Sequence, residues 1–457
     1  MRQYIIPRDA LLPNNLMPPS HRHDQTTDVA YIIDVDMGYG HARAAHSLKH
    51  LAGGQVITAN DYQGMIESER LTWKHWREAY ETLSRLRPIP LIGKIAFGIV
   101  EKAQEISDFY PRRDLSKPNF SVRQVYQLIE RRGLGHELTQ RLNRNPKPVI
   151  CTHPVPAFAL ETHGYRGEIW CVPTDADVAR AWVAMNPKQS RIRYCCANGR
   201  LVERLQLYGV PASRLTLTGF PLPQELIGGV ESSVLKGDLA RRLAVLDPNG
   251  FFREHYQYEF GTSAERSHSY VSAPPTLMYC VGGAGAQRNI GRQLIKSLAS
   301  RLKREELRLI LVAGTRKDVA EYYRQVVGRA RSVEILYHRQ RADYFTAMNR
   351  TLHTVDILWT KPSELSFYTA LGLPIVMAPP LGRQEEFNAI WLTQVGGGMM
   401  QGDPRYTHEW LFDWLNSGGF ARAAWNGFVE APTHGVYRIE DAVLGRASEL
   451  EVPPLIV

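Results

Sequence analysis

Three short stretches of the chain gather residue types able to hold an anion, move a proton and pair with hydroxyl groups. The first is DVDMGYGHARAAHSL, Asp34 to Leu48. A strand pattern ends there, a Gly-x-Gly turn follows, and His41 stands at the head of an alanine-rich helix. Gly38 and Gly40 permit tight backbone geometry and close approach by a ligand, and the unbonded N–H groups of a new helix make an anion site. His41 falls at the carboxyl end of the first strand, where open α/β sheets bind ligands. An imidazole there is suited to general-base work, although a lone histidine also serves as a plain helix cap. The second stretch is YCVGGAGAQRNIGRQLIKSL, with Gly282, Gly283 and Gly285 between a strand and a helix. Its backbone N–H groups suit a pyrophosphate. It is neither Gly-x-Gly-x-x-Gly nor a Walker A loop, and a turn that packs a helix on a sheet has the same composition. The third stretch, ILWTKPSELSFYTALGLPIVMAPPLGRQEEFNAIWL, ends in Gln384, Glu385, Glu386 and Asn388. Carboxylates and amides pair well with hydroxyls that both donate and accept. The same residues also suit a helix start.

These loops need a scaffold, and the pattern around them supplies one. Short apolar runs alternate with helical periodicity, the signature of parallel α/β sheets. In the first half the strand candidates are VAYIIDVD, GQVITAN, KPVICTH, GEIWCVPTD, RIRYCCAN and RLTLTG; in the second, PTLMYCVGG, LRLILVAG, VEILYH, VDILWTK and LPIVMAPP. A chain of 457 residues exceeds one core. The expected organisation is a first Rossmann-like domain over residues 1–228, a second over 229–430, and a segment 431–457 returning to the first. The polar, aromatic stretch from Leu246 to Tyr270 reads as an insertion near the junction. One region breaks the alternation: about residues 62–145 carry almost no strand signal and read as a basic helical insertion. From Tyr62 to Lys147 there are sixteen Lys/Arg against ten Asp/Glu.

The formal charge of +9 points to anionic partners. Nucleic acid is the least suited of these, because aromatic and basic residues do not interleave along strands. The five cysteines (Cys151, Cys171, Cys195, Cys196, Cys280) lie in apolar runs and read as reduced core thiols. There is no Cys-x-x-Cys spacing, and neither a metal nor another cofactor is expected. No apolar run reaches the roughly 18 to 20 residues that span a bilayer. The opening MRQYIIPRDALLPNN lacks the apolar core of a signal peptide. A cytoplasmic protein is expected.

Taken together, the three loops resemble those of the two-domain (GT-B) nucleotide-sugar glycosyltransferases. The nearest likeness is to the diacylglycerol galactosyl- and glucosyltransferases and the N-acetylglucosaminyltransferase that makes the peptidoglycan lipid precursor. It runs from about Asp28 to Leu392. GYGHARAAHSL is similar to that family's first-domain Gly-Gly-Gly-His loop, and CTHPVPAFAL and CVPTDADVARAW to its mid-domain strand ends. VGGAGAQ, VAGTRKD and TKPSELSFYTALGLPIVMAPPLGRQEEFNA resemble its donor-binding loops. The resemblance implies an α/β fold of two doubly wound domains facing a cleft. It implies that His41 faces acceptor and phosphates, and that Asp175 is an acceptor-side base. Gly283, Ala284 and Gly285 would form the pyrophosphate loop, with Gly314 and Arg316 beside the nucleotide. The base would be held near His338, and Gln384 and Glu385 would read the donor sugar. The chain departs from the family after Lys361-Pro362: Ser363 and Glu364 replace two glycines of the donor loop, and Thr369 stands where a ribose-binding glutamate is expected. Ser363 and Glu364 are therefore expected on the donor side, with Glu364 taking over the ribose contact; the alternative is a different donor nucleotide or degraded donor binding.

The implied activity is sugar transfer from a nucleotide diphosphate-sugar, UDP being the usual nucleotide, to an acceptor hydroxyl on a lipid or lipid-linked molecule. Helix N-termini after Gly40 and Gly285, with Arg288 or Arg316, would stabilise the leaving diphosphate without a metal. The insertion supplies Trp73, Trp76, Tyr80, Ile92 and Phe97 beside Lys74, Arg77, Lys94 and Lys102. Such a surface suits peripheral contact with an anionic membrane. The alternatives are a nucleotide-sugar 2-epimerase of the same fold and a non-catalytic sugar-nucleotide or lipid binder.

Overall fold

The computed structural model describes residues 27–74, 105–256, 273–282, 285, 287–328, 330–448 and 450. Its first half forms a six-stranded parallel sheet from β1 (Tyr31–Asp34), β2 (Ile57–Thr58), β3 (Val149–Cys151), β4 (Ile169–Cys171), β5 (Arg193–Cys196) and β6 (Leu215–Leu217). Its second half forms another from β7 (Thr276–Cys280), β8 (Arg308–Gly314), β9 (Val333–Tyr337), β10 (Ile357–Thr360), β11 (Ile375–Met377) and β12 (Gly398–Met400). The strand orders are β2-β1-β3-β4-β5-β6 and β12-β11-β10-β7-β8-β9, all pairs parallel. These are two doubly wound, Rossmann-like sheets, and they meet across a cleft as a GT-B architecture requires.

Both faces of each sheet are covered by helices, so the strands read as continuous apolar runs. In the second sheet the alternation of side chains is visible in the cores. Met278, Cys280, Ile310, Val312 and Leu358 join the cluster that continues into the first domain. Leu277, Tyr279, Leu309, Leu311, Ile357 and Trp359 point into a separate cluster on the other face. All five cysteines are buried and free. The chain passes between the sheets through Gly228 and Gly229, both at positive φ, before helix Ser233–Leu246. Near the other end, helix Gly435–Val443 lies on the first domain: Arg438 donates to Thr218 O at 2.9 Å, and the Tyr437 hydroxyl accepts from Gly229 N at 3.1 Å.

Of the expected basic insertion, helical residues 67–74 and helices Phe120–Arg132 and His136–Leu142 are described. Trp73 and Ile106 are both buried. Trp73 is therefore a core residue and not part of an interfacial belt, because it belongs to the same buried cluster as Tyr62, Met65, Leu134 and Leu138. Trp76, Tyr80, Ile92, Phe97, Arg77, Lys94 and Lys102 lie outside the described residues. No helix among the described residues is long and apolar enough to cross a membrane.

Candidate active site

A doubly wound sheet has one place where its strand order reverses, and the crevice there is the usual ligand site. In the first sheet the reversal falls between β1 and β3, in the second between β7 and β10. The residues that follow these four strands face one another across the cleft.

After β1, Gly38 takes φ 99° and starts helix Tyr39–Leu48. His41 leans toward β3, its Nδ1 lying 2.6 Å from Thr152 O and 3.4 Å from Thr174 Oγ1. A carbonyl oxygen only accepts, so Nδ1 carries the proton and Nε2 the lone pair. After β3, His153 caps helix Pro154–Thr162, its Nδ1 accepting from Val155 N at 3.3 Å. The two imidazole rings meet edge-on at 4.8 Å, and the Trp182 ring lies 5.8 Å from that of His41. Burial lowers the pKa of both histidines, and for His153 the neighbouring His41 lowers it further. Both are neutral at neutral pH.

At the second reversal point the turn after β7 lies against Lys361, which follows β10. A Cβ on Gly282 would come within 2.6 Å of the end of the Lys361 side chain, so the turn and this lysine lie in close contact. Gly285, at φ 72°, donates its N–H to Gly282 O at 2.7 Å. Gly283 and Ala284 lie outside the described residues. The Lys361 ammonium pairs with Glu385 Oε1, and Glu385 Oε2 accepts from Leu381 N at 2.7 Å. Gln384 is half-buried beside Gly382. Ser363 precedes a 3₁₀ helix, Glu364–Leu371, in place of an α-helix.

Asp175 joins the two halves. It follows β4, and its Oδ1 accepts from Asn388 Nδ2 of the second domain at 2.8 Å. Burial pushes its pKa up to about 6. The Asn388 bond opposes this, Glu364 and Glu385 reinforce it, and Lys361 again opposes it. The domains are held together by further bridges around this point. Arg43, fully enclosed, donates to Glu364 at 3.2 Å and to Tyr344 OH at 3.2 Å. Burial opposes its charge, yet Tyr344, Tyr368 and Glu364 hold its pKa above the ordinary value. Arg341 reaches Asp34 at 3.2 Å and Asp36 at 2.9 Å. Tyr39 OH accepts from Thr315 N at 2.8 Å and lies where a Cβ on Gly314 would be, 2.5 Å away. Glycine at positive φ is needed there on both counts.

Other residues singled out by sequence sit at the margin. The His338 N–H donates to Gly314 O at 3.1 Å, at the end of β9. Arg316 pairs with Asp318 at 3.0 Å, and Arg288 approaches the same carboxylate at 3.7 Å. Glu386 is bound by Arg383 at 2.7 Å on the surface. Glu364 is the buried partner of Arg43, not a carboxylate open to a ribose. Thr369 is fully buried, packed where Gly397 and Gly427 leave room for it. Gly40 lies against Glu364 Oε2, which would be 3.4 Å from an added Cβ. Among the described residues no cluster of three or more His, Cys, Asp or Glu could hold a metal. The sequence reading missed Tyr39, Arg43, His153, Arg341 and Lys361. Lys361 had a legible signal, since it ends a strand pattern beside a Pro-Ser-Glu turn. Arg43 had none, because its partner lies far along the chain.

A family described as a domain of unknown function (DUF6938) matches residues 317–438. No curated protein matches the chain. Among solved structures, the chain is similar to the S. aureus MnaA–UDP co-structure, at 10% identity and TM-score 0.46, covering 93% of this chain and 98% of that one. It is similar to UDP-GlcNAc 2-epimerase from Neisseria meningitidis bound to UDP-GlcNAc, at 9% identity and TM-score 0.47, covering 91% and 99%. It is also similar to Acinetobacter baumannii MurG, at 13% identity and TM-score 0.42, covering 70% and 78%. None of these likenesses assigns a residue or an activity to this chain.

Proposed function

We propose that the cleft binds a nucleoside diphosphate sugar, UDP being the first choice, and transfers the sugar to an acceptor hydroxyl. The observation that carries this reading is Asp175. A first-domain carboxylate with a pKa of about 6 is bonded to the second-domain helix that also bears Gln384 and Glu385. In the proposed complex such a group would lie between donor sugar and acceptor, and a pKa of about 6 suits a general base near neutrality.

In this reading the acceptor oxygen forms a bond to the anomeric carbon as the bond to the diphosphate oxygen breaks. The acceptor proton passes to Asp175 and the diphosphate leaves with the electron pair. Backbone N–H groups of the turn after β7, with the Lys361 ammonium, receive the developing negative charge. Gln384 and Glu385 pair with sugar hydroxyls. His41, neutral and anchored through Nδ1, offers the Nε2 lone pair to the acceptor hydroxyl. The acceptor is a lipid or lipid-linked alcohol, reached by the protein from the surface of an anionic membrane. The net positive charge and the basic insertion support this part.

The experiment is turnover of labelled UDP-, GDP-, ADP- and TDP-sugars with and without membrane lipid extract. Acceptor-dependent nucleotide release with label entering lipid is expected. Epimer formation without acceptor, accompanied by solvent hydrogen uptake at the sugar, would favour a 2-epimerase. Two acid–base groups, His41 and Asp175, in one cleft could also serve that reaction. No turnover of any donor, with tight binding of one, would favour a binding protein.

A further inference from the structure

Asn388 sits inside helix Arg383–Val395 and is fully buried. Every polar contact of its side chain leaves its own helix. Its Oδ1 accepts from Ala176 N at 2.7 Å, and its Nδ2 donates to Asp175 Oδ1 at 2.8 Å and to Pro362 O at 3.3 Å. Asparagine is a poor interior helix residue, so the helix itself gives no reason for it. Pro362 fixes the amide within the second domain, and its other bonds reach into the first. The Asp175–Ala176 loop is held from its own side as well. Asn198 donates to Ala176 O at 3.0 Å while capping helix Gly199–Leu207 through Leu201 N at 2.8 Å. The loop therefore has one clamp that is always present and one that exists only while the domains are together.

We propose that Asn388 is a positioning residue that aims Asp175 and keeps it ionised when the cleft is closed, so that closure itself completes the base. This rests on Asp175 being the proton acceptor. In an open cleft Asp175 would be a solvated carboxylate, hence a weak base. Closing the cleft buries it among Glu364 and Glu385, which disfavour its charge, and Lys361, which favours it. His41, on the first-domain side beyond Thr174, is neutral. Against this balance, one N–H donor to a carboxylate oxygen favours the charged form. It also fixes which oxygen faces the ligand, because Oδ1 is committed to the amide.

The test uses full-length protein with Asn388→Leu, close in volume, and Asn388→Ser, which keeps a small donor in case the first variant folds poorly. The titration of the Asp175 carboxyl is followed by carbon NMR without substrate, and kcat is measured across pH. The expected result is a titration of Asp175 at higher pH in Asn388→Leu, with a smaller displacement in Asn388→Ser. The acid limb of kcat should move with it, while the KM for donor changes little. Below the midpoint, a titration curve displaced upward by one pH lowers the ionised fraction about tenfold. In an Asp175→Asn background, Asn388→Leu should have no further effect on turnover. An unchanged carboxyl titration in folded variants overturns the proposal, as does a loss of kcat that is equal at every pH. The NMR titration reads the positioning even if every sugar donor proves inert, so failure of the transfer reading is recognised separately.

Discussion

At Asp175 the proposed function and stability pull in opposite directions. Its folded pKa of about 6 lies above the ordinary value of 3.8. Between those values the folded chain holds a proton that the unfolded chain has lost, so stability falls as pH rises through this window. Above it the cost is complete, about 2 to 3 kcal/mol for a displacement of this size. Asp175→Asn should therefore raise stability at neutral pH by about that amount while lowering turnover about 10²- to 10⁴-fold. Denaturant titration should show the gain shrinking as pH falls from about 6 toward about 4. Equal stability of the two proteins at neutral pH would mean that the carboxylate is not held out of water. His41→Ala should lower turnover and leave nucleotide affinity nearly intact, because the proposed nucleotide loops belong to the other domain. Equal turnover would return His41 to the role of anchoring β1 to β3 through Thr152.

At the scale of elements, eleven of the twelve strands were legible, because β-branched and aromatic runs ended in turn residues mark parallel strands well. β12 was not, since Gly398-Met399-Met400 follows two further glycines and carries no β-branched residue. The loops flanking the cleft were legible as Gly-rich strand–helix turns. Their use was less so: Glu364 reads from sequence as a donor-side ribose contact, yet it closes on Arg43 from a helix more than three hundred residues away. Pairing of that kind depends on the packing of two domains and leaves no local period. The Arg43–Glu364 pair sits among Tyr344, Phe345 and Tyr368. Arg43→Leu would strand a buried carboxylate, and removing one partner of such a pair typically costs about 3 to 5 kcal/mol. Calorimetry should resolve the loss as a lower, broader transition in which the domains melt separately. A transition as sharp and as high as in the parent protein would contradict a closed cleft held by this pair.

At the scale of the whole molecule, helix Gly435–Val443 returns from the second domain to pack against the first. A Cβ on Gly435 would lie 2.2 Å from Phe220 O, a backbone atom that cannot swing aside. Gly435→Ala should cost about 1 to 3 kcal/mol, the usual range for overpacking, and urea unfolding measures it. The proposed membrane contact predicts binding to anionic vesicles that weakens with salt; no sedimentation with such vesicles at low salt would remove it. The central claim is that the two reversal points form one nucleotide-sugar cleft, with the diphosphate on the second domain. Backbone hydrogen exchange, with and without saturating UDP-sugar, tests it most directly. Slowed exchange is expected from Gly282 to Gly291 after β7 and from Gly314 to Val319 after β8, with further protection near Asp175. Protection confined to other surfaces, or unchanged exchange under every nucleoside diphosphate sugar tried, would contradict it.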